Sequence, residues 1–214
     1  MTQLGCDVSY CQSPSLVPWG DERVEFAIVK ATEGVHTDIN AAAHVAKIRA
    51  ANKPLGLYHF FHPEIDRRAQ FEEFDACSRA VGYGKPGDIV PAIDLEYFHG
   101  HEVLPTWSHP ALELAEMFAE AFSARPLLYC SAATWVCMGR PAWVLEHPLW
   151  VPMYMIDGYA PPATLAPKYV PGGGEWAIWQ YFVGPLFAEK QASKARGAVD
   201  HNRARRLPLI GSAQ

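Results

Sequence analysis

No run of about 18 apolar residues occurs in the chain, so no segment is expected to cross a membrane as a helix. No Gly-x-Gly-x-x-Gly in a strand-to-helix turn and no Walker sequence is present to support a nucleotide site. There is no Cys-x-x-Cys and no His-x3-His. The five cysteines, Cys6, Cys11, Cys77, Cys130 and Cys137, lack metal-ligand spacing and read as small, partly buried hydrophobes in a reducing compartment. Positive charge is scarce: 18 Lys and Arg stand against 23 Asp and Glu, and a net charge of −5 offers no general attraction for nucleic acid. The one basic cluster, Arg203, Arg205 and Arg206, reads as a solvated face. The opening residues carry neither the basic start nor the apolar stretch of a signal peptide, so synthesis in the cytoplasm is expected. No internal repeat is found.

What is present fits one globular domain over 1–214, with half the residues hydrophobic and 19% charged. That length suffices for a full core and for a single α/β barrel.

The chain is organised around Ile89-Val90-Pro91-Ala92-Ile93-Asp94-Leu95-Glu96, an apolar run too short for a helix that ends in acid. It reads as a strand covered on both faces. Alternation points Asp94 and Glu96 one way and Ile93 and Leu95 the other, with the acidic Cβ atoms roughly 6.5 to 7 Å apart. At that distance each carboxylate raises the cost of ionising its neighbour. The plainer reading, a structural pair bound to a buried Arg, loses ground because no cation neighbours the pair in sequence.

Before this stretch, strands are expected over 4–10, 26–32 and 55–61, with helices over 40–52 and about 65–81. Ala41, Val45 and Ile48 make the buried stripe of the first helix; Phe71, Phe74, Cys77 and Val81 that of the second, which Gly82 ends. After it come a helix opened by Pro110 with Leu112, Ala115, Ala119 and Phe122 inward, a strand over 126–130, and a short helix near 134–138. Three more strands, 149–154, 176–181 and 198–202, follow without an intervening amphipathic helix. The loop 161–174 is rich in Pro and Gly, and 188–196 is polar and ambiguous. Eight strands, helically connected only in the first part, predict an α/β, TIM-like barrel with a degenerate last third. A doubly wound open sheet is the alternative.

In a closed barrel the first and last strands are neighbours, so Asp7 and Asp200 should meet on one wall while Asp94 and Glu96 face them. Each aspartate alone would be unremarkable; their convergence is not. Tyr58, Tyr129, Tyr154, Trp179 and Tyr181 are expected to join them as a mouth suited to a sugar chain, whose ring faces stack while its hydroxyls hydrogen-bond. Trp150, Trp176 and Phe60 read as core. The pair His99-Gly-His101 reads as loop polarity.

Together, Asp7-Val8-Ser9-Tyr10-Cys11-Gln12, Phe26-Ala27-Ile28-Val29-Lys30-Ala31-Thr32-Glu33-Gly34, Tyr58-His59-Phe60, Asp94-Leu95-Glu96, Trp179-Gln180-Tyr181 and Val199-Asp200-His201-Asn202 resemble glycoside hydrolase family 25, the Chalaropsis-type lysozymes. The resemblance covers nearly the whole chain in order and departs from the family over 19–25 and 161–174. It implies a TIM-like barrel of five β/α units followed by three β-strands. It also implies a muramidase that cuts the β-1,4 bond between N-acetylmuramic acid and N-acetylglucosamine in peptidoglycan, without metal or other cofactor. The family's acidic cluster carries over onto Asp7, Asp94, Glu96 and Asp200, with Glu96 as general acid. Tyr58, Tyr129, Tyr154, Trp179 and Gln180 are then the expected glycan-binding residues. The partners implied are peptidoglycan glycan strands, with no nucleic acid and no membrane insertion, for a monomer that resembles a phage endolysin released onto the cell wall at lysis. A catalytically dead glycan-binding barrel and another amino-sugar hydrolase, such as a chitinase, are the alternatives.

Overall fold

The computed structural model of the chain describes residues 2–15, 17–98, 100, 102–154, 165–185 and 198–212. The expectations for His99, His101, 188–196 and the first part of the 161–174 loop lie outside the described residues. In chain order the strands are β1 (Gln3–Val8), β2 (Phe26–Glu33), β3 (His36–Thr37), β4 (Leu55–Phe60), β5 (Ala92–Leu95), β6 (Leu127–Cys130), β7 (Leu149–Pro152), β8 (Ile178–Pro185) and β9 (Ala198–Ala204). The helices are α1 (Ala41–Ala50), α2 (Arg67–Ala80), α3 (Ser108–Phe122) and α4 (Ala132–Cys137).

The sheet closes on itself because β1 pairs with both β2 and β9, and the two-residue β3 hangs on β2 outside the ring. Eight strands therefore form the barrel, and β9 runs antiparallel to both its neighbours. Closure requires β1 and β2 to approach tightly at Gly5, where a Cβ would lie 2.6 Å from the Phe26 ring and carbonyl oxygen. Glycine is the residue that fits there.

Seven of the eight residues of β2 and all six of β4 are buried, since one face meets the barrel interior and the other meets helices. Helix α1 turns Ala41, Val45 and Ile48 inward as its spacing predicts, and adds His44. Asp66 caps α2, its Oδ1 accepting from the Ala69 N–H at 2.9 Å, and Gly82 follows the helix at φ +65°. Phe74 of α2 meets Phe118 of α3 at 4.6 Å between ring centroids.

Two expectations shift. The buried stripe of α3 is Ala111, Leu114, Ala115 and Phe118, while Leu112, Ala119 and Phe122 are half-buried. Both stripes are apolar, and the choice is made by the fit of Phe118 against α2. Regular pairing of the acidic strand is confined to Ala92–Leu95, preceded only by an isolated bridge from Ile89 to Leu209; Pro91 has no N–H to give a ladder. Glu96 thus lies one residue past the strand end. The link from β1 to β2 is built of turns, with no helix among the described residues, and here the chain follows its loop-like sequence.

Candidate active site

The parallel strands all end at one mouth of the barrel, and β9, running the other way, brings its beginning there. Asp7 near the end of β1 is the register partner of Asp200 near the start of β9. Asp94 of β5 lies between Phe60 of β4 and Tyr129 of β6 in register. In-register neighbours point to the same side, so these residues share the interior.

Asp7 is 5% exposed and clamped by amides: Asn202 Nδ2 donates to Asp7 Oδ2 at 2.6 Å and Gln180 Nε2 donates to the same oxygen at 3.0 Å. Behind them, the Trp150 indole N–H donates to Asn202 Oδ1 at 2.8 Å. The hydroxyls of Tyr129 and Tyr154 both donate to Gln180 Oε1 at 2.7 Å. Burial, and then the charge of Asp200, push the Asp7 carboxyl well above the ordinary range, against the pull of the two amides. Asp94 is 6% exposed, and its Oδ1 has no hydrogen-bond partner among the described residues. Burial and then the Glu96 charge raise it, while Lys30 opposes. Glu96 is raised to about 7, first by burial and then by Asp200, again against Lys30.

Above the acids opens a cleft of about 720 Å³ lined by Glu96, Tyr97, Glu102, Val103, Tyr129, Ser131, Thr134 and Tyr154. Glu96 is the one member of the acidic cluster that lines it. A group titrating near neutrality at the floor of a cleft can deliver a proton to a bound ligand. The unpaired Asp94 oxygen beside it can accept a hydrogen bond from that ligand.

The structure brings Asp7, Asp94, Glu96 and Asp200 to one mouth, as the topology argument expects. The aromatic expectations divide. Tyr154, 45% exposed, presents a ring to the cleft, whereas Tyr58 and Tyr129 are buried and packed edge-on against Trp150 at 6.0 and 4.9 Å. Burial, and then the charges of the four acids, raise Tyr58 well above its ordinary value. Gln180 spends its amide on Asp7 and the two tyrosines. Trp179 does not reach the mouth: it is fully buried on the other side of β8, its indole N–H donating to the Met153 carbonyl at 2.8 Å, packed with Trp176 and Tyr181. Neighbouring strand residues face opposite sides, and Gln180 takes the interior.

Sequence reasoning missed Lys30, Asn202, Tyr97 and Glu102. Lys30 had a signal, since it is the only cation within an otherwise apolar, fully buried stretch of β2. Asn202 had none apart from its place two residues after Asp200 on the same face.

A model of the glycosyl hydrolases family 25 matches residues 6–184. No curated protein matches the sequence. Among solved structures, the chain is similar to a muramidase from Trichobolus zukalii, with 21% identity, coverage of 95% of this chain and 93% of that one, and a TM-score of 0.75. It is similar to the bacterial lysozyme of Streptomyces coelicolor, with 23% identity, 95% and 92% coverage and a TM-score of 0.75. It is also similar to the catalytic domain of an endolysin from a bacteriophage of Listeria monocytogenes, with 20% identity, 95% and 93% coverage and a TM-score of 0.68. The family match stops before β9, yet β9 completes the barrel and carries Asp200 to its place opposite Asp7. With most of its length matched and the same barrel throughout, the chain belongs to the glycosyl hydrolases family 25.

Proposed function

We propose that the protein is a lysozyme of the N-acetylmuramidase type, hydrolysing the β-1,4 bond between N-acetylmuramic acid and N-acetylglucosamine in bacterial peptidoglycan. We propose further that it serves as an endolysin, made in the cytoplasm and acting on the wall after release. The carrying observation is the pairing, at one strand end, of a cleft-lining Glu96 raised to about 7 with a buried Asp94 whose Oδ1 lacks a partner among the described residues. Family membership supports glycoside chemistry, and the muramidase, lysozyme and endolysin among the similar structures support the substrate and the role.

In this reading the glycan lies along the cleft with its glycosidic oxygen over Glu96. Glu96 gives its proton to that oxygen as the bond to the anomeric carbon breaks, and the carboxylate left behind is held by its surroundings. The acetamido carbonyl oxygen of the cleaved sugar attacks the anomeric carbon from the opposite side, forming a cyclic oxazolinium ion. Asp94 accepts the acetamido N–H, which satisfies its open oxygen and steadies the positive charge that develops. Water then opens the ring, gives its proton to Glu96 and leaves a hemiacetal of retained configuration. Two acids on one strand end lie on one side of the bond, which favours this route over a nucleophile on the protein. Asp7 and Asp200 set the charge around the pair, and Tyr154 offers a stacking face.

De-N-acetylated peptidoglycan tests the reading. It should be cut poorly while it still binds, and NMR of the first product from acetylated substrate should show the β-anomer. Efficient cleavage of the de-N-acetylated polymer, or an α-anomer first, would remove acetamido participation and leave Asp94 as a base for water.

A further inference from the structure

Outside the acids themselves, the feature that the proposed chemistry leaves unused is a buried cation. Lys30 is 7% exposed, on the interior face of β2 in register with Tyr58. Immediately after it the β2–β4 register slips, so that Thr32 rather than Ala31 pairs with His59. Such a slip re-aims the side chains on either side of it. The Lys30 ammonium ends 4.8 Å from the centroid of the Phe60 ring and 5.7 Å from that of Tyr10. Phe60 is in turn the register partner of Asp94, which places the ammonium on the acid side of the mouth.

A buried ammonium needs paired charge and ordered neighbours. Glu33 supplies an ion pair directly to Lys30. Its other oxygen faces His62 Nε2 at 3.3 Å, and His62 Nδ1 faces Glu64 at 3.0 Å. The Phe98 ring covers His62 at 4.3 Å. Burial would raise the Glu33 carboxyl, but Lys30 and His62 more than offset it, so Glu33 stays below its ordinary range. Asp38 lines the same 440 Å³ recess as Lys30 and Glu33. The charged and titratable groups around the ammonium are therefore Tyr10, Glu33, Asp38, His62, Asp94 and Glu96. Two rings and a carboxylate hold it in one position.

We infer that Lys30 is a positioning residue of the active site: a cation braced by Glu33, Phe60 and Tyr10 that keeps Asp94 available as an anion while Glu96 carries the catalytic proton. Four carboxylates converge on this mouth, and without a fixed counter-charge they would share protons so that Asp94 could no longer accept a hydrogen bond from the acetamido group. Lys30 favours the charged form of both Asp94 and Glu96. Glu33 opposes it at Asp94. Lysine and glutamate therefore form an adjustable pair, in which removing one should move the cluster in the direction opposite to removing the other.

This inference rests on the muramidase reading for its catalytic meaning but not for its electrostatics, so two measurements keep them apart. The first is the pH dependence of kcat/KM on purified peptidoglycan for wild type, Lys30→Met, Lys30→Arg and Glu33→Gln. Lys30→Met should shift the acid limb to higher pH by about one unit, a tenfold loss at fixed acidic pH. Lys30→Arg should restore most of the wild-type profile, and Glu33→Gln should move the limb to lower pH. The second is a 13C NMR titration of the side-chain carboxyl carbons, which needs no substrate. Asp94 should titrate higher in Lys30→Met and lower in Glu33→Gln. An inactive wild type with these titration shifts would refute the muramidase reading and support the role of Lys30. Unmoved carboxyl titrations, or profiles that fall in height in all three variants without shifting, would overturn the inference. Should Lys30→Met fail to fold, Glu33→Gln carries the same test, because a limb moved to lower pH is not what simple loss of packing gives.

Discussion

Asp7 and Asp200 face each other across the antiparallel β1–β9 pairing, so the two ends of the chain close the barrel and build one wall of the acidic mouth in the same contact. Asn202, two residues along β9, donates to Asp7 at 2.6 Å while its own carbonyl oxygen accepts from Trp150 at 2.8 Å. Asn202→Ala should leave the Trp150 N–H and one lobe of Asp7 without partners in the interior. A loss of about 1–3 kcal/mol in unfolding free energy is expected, read from urea denaturation. Activity at acidic pH should fall too, because the amide helps keep Asp7 ionised. An unchanged urea midpoint would show that the clamp is dispensable.

The raised Glu96 makes a signed prediction about stability. In the unfolded chain its carboxyl returns to its ordinary value of 4.5, whereas in the fold it is held at about 7. Below the unfolded value both states are protonated and the shift costs nothing. As pH rises from 4.5 towards 7 the unfolded chain loses its proton first, so stability falls across that window and stays reduced above it. Glu96→Gln, which cannot ionise, should therefore match wild type near pH 4 and exceed it at pH 8 by on the order of 1–3 kcal/mol. The same variant should lose about 10²–10⁴-fold in activity, since it has no proton to give. Wild-type activity itself should decline above about pH 7 as Glu96 ionises. Equal stability of the two proteins at pH 8 would argue that the fold does not raise the Glu96 carboxyl.

Trp179 supplies a test of placement. Because its ring is fully buried against Trp176 and Tyr181 on the far side of β8, Trp179→Phe should leave the KM for peptidoglycan unchanged. Trp179→Ala should cost about 3–5 kcal/mol of stability through the cavity it opens. A raised KM with unaltered stability would put the indole in the glycan site after all.

That residue also marks where the sequence stops being legible. The barrel and the convergence of Asp7, Asp94, Glu96 and Asp200 follow from strand count, alternation and ring closure, all of which are properties of backbone geometry. Alternation should have ruled out Trp179 and Gln180 as joint lining residues, because adjacent strand positions face opposite sides. The burial of Tyr58 and Tyr129 was not legible: it depends on Trp150 filling the interior between them, a packing fact with no periodic signature. The same holds for α3, where Leu112 and Leu114 compete for the core and Phe118 decides through its contact with Phe74. Lys30 was visible as a cation in an apolar strand, but its partner Glu33 lies beyond the register slip, so regular alternation alone does not pair them.

The most direct test of the account is the identity of the sugar end that the enzyme exposes. Purified peptidoglycan would be digested with the wild-type protein, the products reduced with borohydride, and the new ends identified by mass spectrometry. Cleavage on the muramic acid side, with Glu96 as proton donor, predicts muramitol as the new end and its absence from a Glu96→Gln digest. Glucosaminitol, or new free amines without any reduced sugar, would contradict the muramidase assignment.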